Sequence, residues 1–255
     1  FPFDHTHTLD SSRNRLAAGR VWGEFGDQQR LGGRLGGSIL SSRNRNFLAN
    51  DEINRTSGRR ATIDGQVQYR FATSAVEHRL IVAFEHESEK FHARDPFGTT
   101  DQDRSRKHQA LTAEWRADVG PVAADLALRR DRFSRFKDAT TIRASLLADV
   151  GDGFSATGSY GEGIAQPTFF DLYGFAPAFF VGNPSLKPER SRGFEASARY
   201  RGANVGASLT AYRQRLSDEI VDLFDPVTFL SSTENRSERS NRAGIEAQVD
   251  WSFGE

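Results

Sequence analysis

Thirty of the 34 basic residues in this 255-residue chain are arginine, and only Lys90, Lys107, Lys137 and Lys187 are lysine. A guanidinium presents planar, bidentate donors suited to carboxylates and phosphates. The arginines therefore read either as loop and interior groups that hold an anionic chelate or a phosphate, or as ordinary solvated faces. One segment mixes cations with aromatics: Phe91-His-Ala-Arg94-Asp-Pro-Phe97, continuing through Arg104, Arg106, Lys107 and His108. A second, Gly161 to Arg190, concentrates Phe169, Phe170, Tyr173, Phe179 and Phe180 among Pro167, Pro177, Pro184 and Pro188. Prolines at that density cannot continue a strand ladder, so this is a turn-rich loop whose rings pack on themselves.

Other chemistries fare worse. With no cysteine there is no disulfide, thiolate metal site or cysteine nucleophile. His5-Thr-His7 could hold a metal on one strand face, but two histidines without further ligands read more simply as a surface loop. Gly32-Gly33 and Gly36-Gly37 lie within a strand pattern and precede no helix, so no phosphate loop is implied. No segment presents a strained nucleophile turn. The 34 acidic residues balance the basic ones, which removes the case for a nucleic-acid binder. No catalytic residue, resident metal or cofactor is expected.

The elements that must position these residues have a period of two. Ala61, Ile63, Val67, Tyr69 and Phe71 alternate with Arg60, Thr62, Asp64, Gln66, Gln68 and Arg70. Leu111 to Val119 and Ile245 to Phe253 repeat the pattern. Similar segments near 15–25, 29–40, 78–90, 122–132, 140–150, 154–163, 191–200 and 204–216 bring the expected total to eleven strands. Many reach ten residues, whereas sandwich strands average about 5–6. A transmembrane barrel strand needs about 9–11, apolar toward lipid and polar toward the lumen. The pattern predicts an all-β, antiparallel transmembrane barrel wall.

Connections and rims add orientation. Short turns are expected at 26–27, 72–77, 120–121, 151–153 and 201–203. Long loops are expected at 41–58, 91–106, 164–190 and 217–241, with a shorter one at 133–139. Outer-membrane barrels keep short turns inside and long loops outside. Phe25, Tyr69, Phe71, Trp115, Phe154, Tyr200, Trp251 and Phe253 fall beside the short turns or the chain's end, as an interfacial aromatic belt requires. His78 and His86 share the apolar parity of Leu80, Val82 and Phe84, which places them near the two interfaces.

The motifs carry a resemblance. Ser159-Tyr-Gly-Glu-Gly163 runs into a Pro167-containing stretch. An Asn-Pro-x-Leu-x-Pro-Glu element follows, with Asn183, Pro184, Leu186, Pro188 and Glu189 in place. Together they resemble the barrel of TonB-dependent outer-membrane transporters. Gly244-Ile-Glu246 after the Asn235–Asn241 stretch is similar to a second landmark, and Leu128 to Phe136 before Thr140-Thr-Ile-Arg143 to a third. These landmarks cover roughly 125–255. The stretch Ile164-Ala-Gln-Pro167 departs from the Phe-Arg-Ala-Pro of many members. No His lies between it and Asn183, where haem-uptake members carry one.

The resemblance implies a barrel of 22 strands around an N-terminal plug, of which residues 1–255 would be an internal part lacking the plug and the terminal strands. It implies a bacterial outer-membrane location, with contacts to outer-membrane lipid and lipopolysaccharide. Uptake of a ferric siderophore or cobalamin-like solute would be energised by the TonB complex through the plug. Phe91, Arg94, Arg104, Phe169, Tyr173, Phe179 and Phe180 are the candidates for cargo contact in the external loops. Pro167, Asn183, Pro184, Leu186, Pro188, Glu189, Gly244 and Glu246 are expected to be structural. A passive porin and a barrel enzyme stay open, as does a soluble adhesin-like β protein whose apolar parity would be buried.

Overall fold

The computed structural model describes residues 9–175 and 179–253. His5, His7 and Pro177 lie outside the described residues. Eleven strands form one antiparallel sheet: β1 (Asp10–Asp27), β2 (Leu31–Leu48), β3 (Asp51–Thr73), β4 (Val76–Arg94), β5 (Asp101–Val119), β6 (Val122–Phe133), β7 (Ala139–Gly151), β8 (Phe154–Ala165), β9 (Glu189–Arg201), β10 (Val205–Ser217) and β13 (Ser240–Trp251). Each pairs with its neighbour in chain order, so every connection is local. Between β10 and β13 lies a separate hairpin, β11 (Ile220–Asp225) with β12 (Leu230–Asn235). The one helix among the described residues, α1 (Phe169–Tyr173), lies between β8 and β9. β1 and β13 are each paired on one side only among the described residues.

Register shows why the alternation was decisive. Leu35, Gly65 and Phe84 stand in one row, as do Tyr69, Leu80, Trp115, Leu126, Ala144, Tyr160 and Phe194, so the apolar parity of each strand merges into one continuous face. Among the described residues no second sheet covers it. Ile63 is 54% exposed, Val82 53%, Leu111 56% and Leu146 54%. A soluble sandwich would bury this parity, and so that alternative fails. An apolar solvent is what such a wall needs. The buried apolar side chains are few and are mostly alanines in the sheet, plus Leu172, Phe180 and Leu186 at one end.

The polar face is tied by ion pairs instead. Arg20 meets Asp64 at 2.8 Å, Arg60 meets Glu89 at 2.5 Å, and Arg143 lies 3.2 Å from both Glu114 and Asp125. Exposed pairs of this kind contribute about 0–1 kcal/mol each. They satisfy charge rather than drive folding.

Two expected loops are strands. β2 runs to Leu48 and β3 starts at Asp51, which leaves 49–50 as the connection where 41–58 was expected. β4 and β5 likewise leave only 95–100 of the expected 91–106. Ser41-Ser-Arg-Asn-Arg-Asn46 is polar on both faces, so no alternation marks it. The backbone ladder needs none, because its bonds do not depend on side chains. The 217–241 loop contains the hairpin of β11 and β12. The strands thus outrun the length that lipid demands, reaching 23 residues in β3.

The belt at the short-turn end is a run of stacked rings followed by two separate pairs. Tyr69 stacks on Phe71 at 5.5 Å, Phe71 on His78 at 4.7 Å, and His78 on Trp115 at 6.1 Å. His78 accepts from Trp115 Nε1 at 3.3 Å and lies 2.8 Å from Thr73 Oγ1, so it belongs to the belt as its parity suggests. Phe154 and Tyr200 pair at 4.6 Å, and Trp251 and Phe253 at 5.5 Å. Phe25 stands opposite Gly33, which is in register with Val67, so it too is on the apolar face.

Candidate functional site

At the loop end of the polar face, β4 and β5 place Phe91 directly opposite Arg104, and Glu89 opposite Arg106. The connection from β8 to β9 folds over these four. Pro167 is fully buried at its entry. Thr168 then caps α1: its Oγ1 accepts from Asp171 N at 3.1 Å, and Asp171 Oδ2 accepts from Thr168 N at 2.7 Å. This reciprocal box satisfies two donors that a free helix start would leave unpaired.

One turn of helix puts Phe169 and Tyr173 on the same side, their rings 6.3 Å apart and stacked. Phe91 stacks on Phe169 at 5.4 Å. Three arginines then close on these rings. The Arg106 guanidinium lies 4.7 Å from the Phe169 centroid and donates to the Pro167 carbonyl at 2.6 Å. Arg104 lies 4.3 Å from the Tyr173 centroid. Arg135, from the 134–138 connection, sits 5.1 Å from the same centroid and donates to the Tyr173 hydroxyl at 2.6 Å and the Pro184 carbonyl at 3.1 Å. Each cation over a ring contributes about 0.5–1 kcal/mol where exposed, and more where dry.

Behind this platform is a small apolar core. Phe170 stacks on Phe180 at 4.1 Å and meets Phe175 edge-on at 4.8 Å, with Leu172 fully buried beside them. Gln102 donates to the Tyr173 and Gly174 carbonyls at 3.2 and 2.7 Å, fastening the end of α1 to β5. Glu89 bridges Arg60 and Arg106 below the platform, and Asp131 accepts from Arg129 at 2.9 Å while lying 2.8 Å from His108 Nε2.

The Asn-Pro-x-Leu-x-Pro-Glu element holds the loop to the outer hairpin. Asn183 Nδ2 donates to the Thr233 carbonyl at 2.8 Å, while its Oδ1 accepts from Ser185 N at 3.0 Å. Leu186 is 3% exposed. Lys187 and Asn235 exchange two hydrogen bonds at 2.7 and 3.0 Å, and Glu189 accepts from Ile220 N at 2.8 Å. Pro184 and Pro188 stiffen the chain between these anchors. At Gly182 an added Cβ would meet the Tyr173 backbone at 2.2 Å, so no larger residue lets the two segments cross. Gly244 has a similar part on the sheet: it lies opposite Tyr212, whose hydroxyl would stand 2.6 Å from an added Cβ. Glu246 is exposed on the same face, opposite Thr210.

Of the residues singled out for cargo contact, Phe91, Arg104, Phe169 and Tyr173 come together. Phe180 belongs to the core behind them, and Phe179 is 73% exposed away from the stack. Arg94 pairs with Asp101 at 3.0 Å on the opposite face, because its position has the other parity from Phe91. Arg106, which the sequence noted only within its segment, and Arg135 complete the platform. Arg135 lies in an irregular connection, where no periodicity reports direction.

Two tip carboxylates outside the sheet are held ionised. Asp225 is pushed below its ordinary pKa chiefly by the Val227 N–H at 2.8 Å, then by the Thr228 hydroxyl at 2.8 Å. For Asp95, desolvation pulls upward, and the hydrogen bonds from Thr99, Phe97 and Thr100 outweigh it, so its pKa is also lowered. Among the described residues, no group of three or more His, Asp or Glu converges as metal ligands. The arrangement can attract an anionic ligand by charge.

A family model described as TonB dependent receptor-like, beta-barrel, matches residues 1–255. Solved structures share the fold. The siderophore receptor PirA from Pseudomonas aeruginosa superposes with a TM-score of 0.81 at 17% identity, covering 94% of this chain and 47% of that one. PirA from Acinetobacter baumannii gives 0.78 at 17%, covering 95% and 43%. The Serratia marcescens hemophore receptor HasR, solved with its hemophore HasA and heme, gives 0.74 at 14%, covering 95% and 47%. The chain thus spans under half the length of each of these structures.

Proposed function

The chain belongs to the TonB-dependent receptor β-barrel family, whose members are outer-membrane proteins of Gram-negative bacteria, and from that premise we propose that it forms part of an active uptake receptor. The eleven strands are half of a 22-stranded wall, whose lumen is lined by the polar face and filled by a plug domain. The cargo is a scarce, large solute of the ferric siderophore or cobalamin-like class. Energy comes from the TonB complex through the plug, and no bond is made or broken. PirA, named as a siderophore receptor, supports the cargo class by its shared fold.

The observation that carries this reading is the platform of Arg104, Arg106 and Arg135 over Phe169 and Tyr173, at the loop end of the lumen face. Guanidinium groups attract an anionic chelate, and the rings they cover hold them in place at the loop end. The long loop lies on the side where a solute would arrive.

The test is uptake and binding by the parent protein, with ferric siderophores, cobalamin and haem as probes. Saturable binding of one probe, with uptake that stops when the inner-membrane proton gradient is collapsed, is the expected result. Uptake indifferent to the gradient would leave a passive channel in its place.

A further inference from the structure

Beside the platform, β5 turns His108 to the polar face with a carboxylate at each ring nitrogen. Nε2 lies 2.8 Å from Asp131 Oδ1, and Nδ1 lies 3.8 Å from Glu85 Oε1. Asp131 is buried, its Oδ1 also accepts from Arg129 Nε at 2.9 Å, and its Oδ2 has no partner among the described residues. An ionised carboxylate only accepts, so the proton of the neutral ring sits on Nε2. Nδ1 is then a bare lone pair facing a second acceptor. A further proton has one place to go, and there it turns that contact into a charge-assisted hydrogen bond to Glu85.

The surrounding charges leave room for this proton. Glu85 and Glu87 face the ring from β4, Glu87 directly opposite it, while Arg106 precedes it on β5 and Arg129 and Asp131 face it from β6. Arg106 is engaged by Glu89, Arg60 by Glu87 and Glu89, and Arg129 by Asp131 and Glu85. Four carboxylates thus meet three guanidinium groups, and the imidazolium form of His108 cancels the charge left over.

The ring also leads to the platform. His108 lies flat on Phe133, its partner in register and the last residue of β6, at 4.8 Å. Phe133 meets Phe136 edge-on at 6.5 Å, and the Arg135 guanidinium lies 5.9 Å from the Phe136 centroid. Next to His108, Lys107 and Ser134 exchange two hydrogen bonds at 3.0 and 2.9 Å, which pins the start of the 134–138 connection to β5. The connection that carries Arg135 to Tyr173 is therefore seated on the histidine.

We propose that His108, held by Asp131, is a positioning residue for Arg135, and that a proton gained at Nδ1 tightens the contact of Arg135 with Tyr173. The proposal rests on the uptake reading above and deepens it, by making the grip on cargo depend on the acidity outside the cell. The protonated ring is a cation lying on the Phe133 face and tied to Asp131 and Glu85 at once, so it holds Phe133 and the connection after it more firmly than the neutral ring does.

The test uses the full-length parent protein in detergent micelles, with a fluorotyrosine in place of Tyr173 alone and its fluorine signal followed from about pH 8 to about pH 5. Wild type should show a one-proton transition. H108Q, whose amide can still donate to Asp131 but takes no proton, should show none. F133L keeps the histidine and removes the ring that couples it, so the His108 ring signals should still titrate while the signal at Tyr173 stays flat. Whichever ferric siderophore, cobalamin or haem probe wild type binds should bind roughly two- to fivefold tighter at about pH 5.5 than at about pH 8, and H108Q should remove that difference. A flat Tyr173 signal in wild type, or a transition that either variant leaves unchanged, overturns the positioning role and leaves uptake standing where a probe still binds. Where H108Q does not fold, F133L decides alone. A transition that H108Q abolishes, in a protein that binds none of the probes, overturns the uptake reading and keeps the positioning role.

Discussion

Arg135 reaches Tyr173 twice: its guanidinium lies 5.1 Å from the ring centroid, and its Nη1 donates to the hydroxyl at 2.6 Å. One cation thereby fixes both the face and the edge of the ring, while Arg104 covers the same ring at 4.3 Å. The link joins the β6–β7 connection to α1, two segments with no backbone pairing between them.

Arg135→Ala should therefore loosen α1 and weaken cargo binding by the parent protein roughly 5- to 30-fold, about 1–2 kcal/mol. Tyr173→Phe keeps the ring and loses only the hydroxyl, so it should cost less. Titration with the ferric siderophore or cobalamin probe that wild type binds checks both. Arg94→Ala, on the other face, should leave binding within about twofold, and a loss as large as that of Arg135→Ala would remove the parity argument.

Asn183→Asp replaces the donor to the Thr233 carbonyl with an acceptor at nearly constant size. An unsatisfied buried carbonyl costs about 1–3 kcal/mol. Amide exchange across 168–174 and 230–235 should quicken by about ten- to a hundredfold, while strands β3–β6 stay protected. Slower exchange, or a change spread evenly over the sheet, would contradict an anchoring role.

The Asp225 tip should be pH-sensitive with a definite sign. Because the folded carboxyl titrates below its ordinary value, its contribution is complete above the unfolded pKa of about 3.9. It is lost as pH falls through the lower, folded value. The Val227 and Thr228 amide signals should hold steady from neutral pH down to about 4 and shift below it. In Asp225→Asn that acid transition should be missing.

Gly244 seats the Tyr212 ring. Gly244→Val should lower the unfolding midpoint of the parent protein, by an overpacking cost of about 1–3 kcal/mol. Tyr212→Ala combined with it should recover part of that loss. Strict additivity of the two would mean that the ring and the glycine are not in contact.

Much of this architecture was legible because a strand's period of two is a property of the backbone. Ile63, Val67 and Tyr69 had to share one face, and register merged that face across the strands. Where both faces of a strand meet water the signal vanishes, which is why Ser41–Asn46 reads as a loop and is paired from end to end. The platform was half visible. Phe91 and Arg104 carry the right parity within β4 and β5, and Phe169 and Tyr173 the right spacing on α1.

What the sequence determined by itself was local: strand faces, the short turns and the stiffness of the proline-rich loop. Only the tertiary structure decided that Arg106 and Arg135 would close on the rings of α1 and that Asn183 would reach Thr233. Those contacts join residues 38 to 61 positions apart. Their geometry depends on how a loop folds back across the wall, and no repeating backbone period encodes that path.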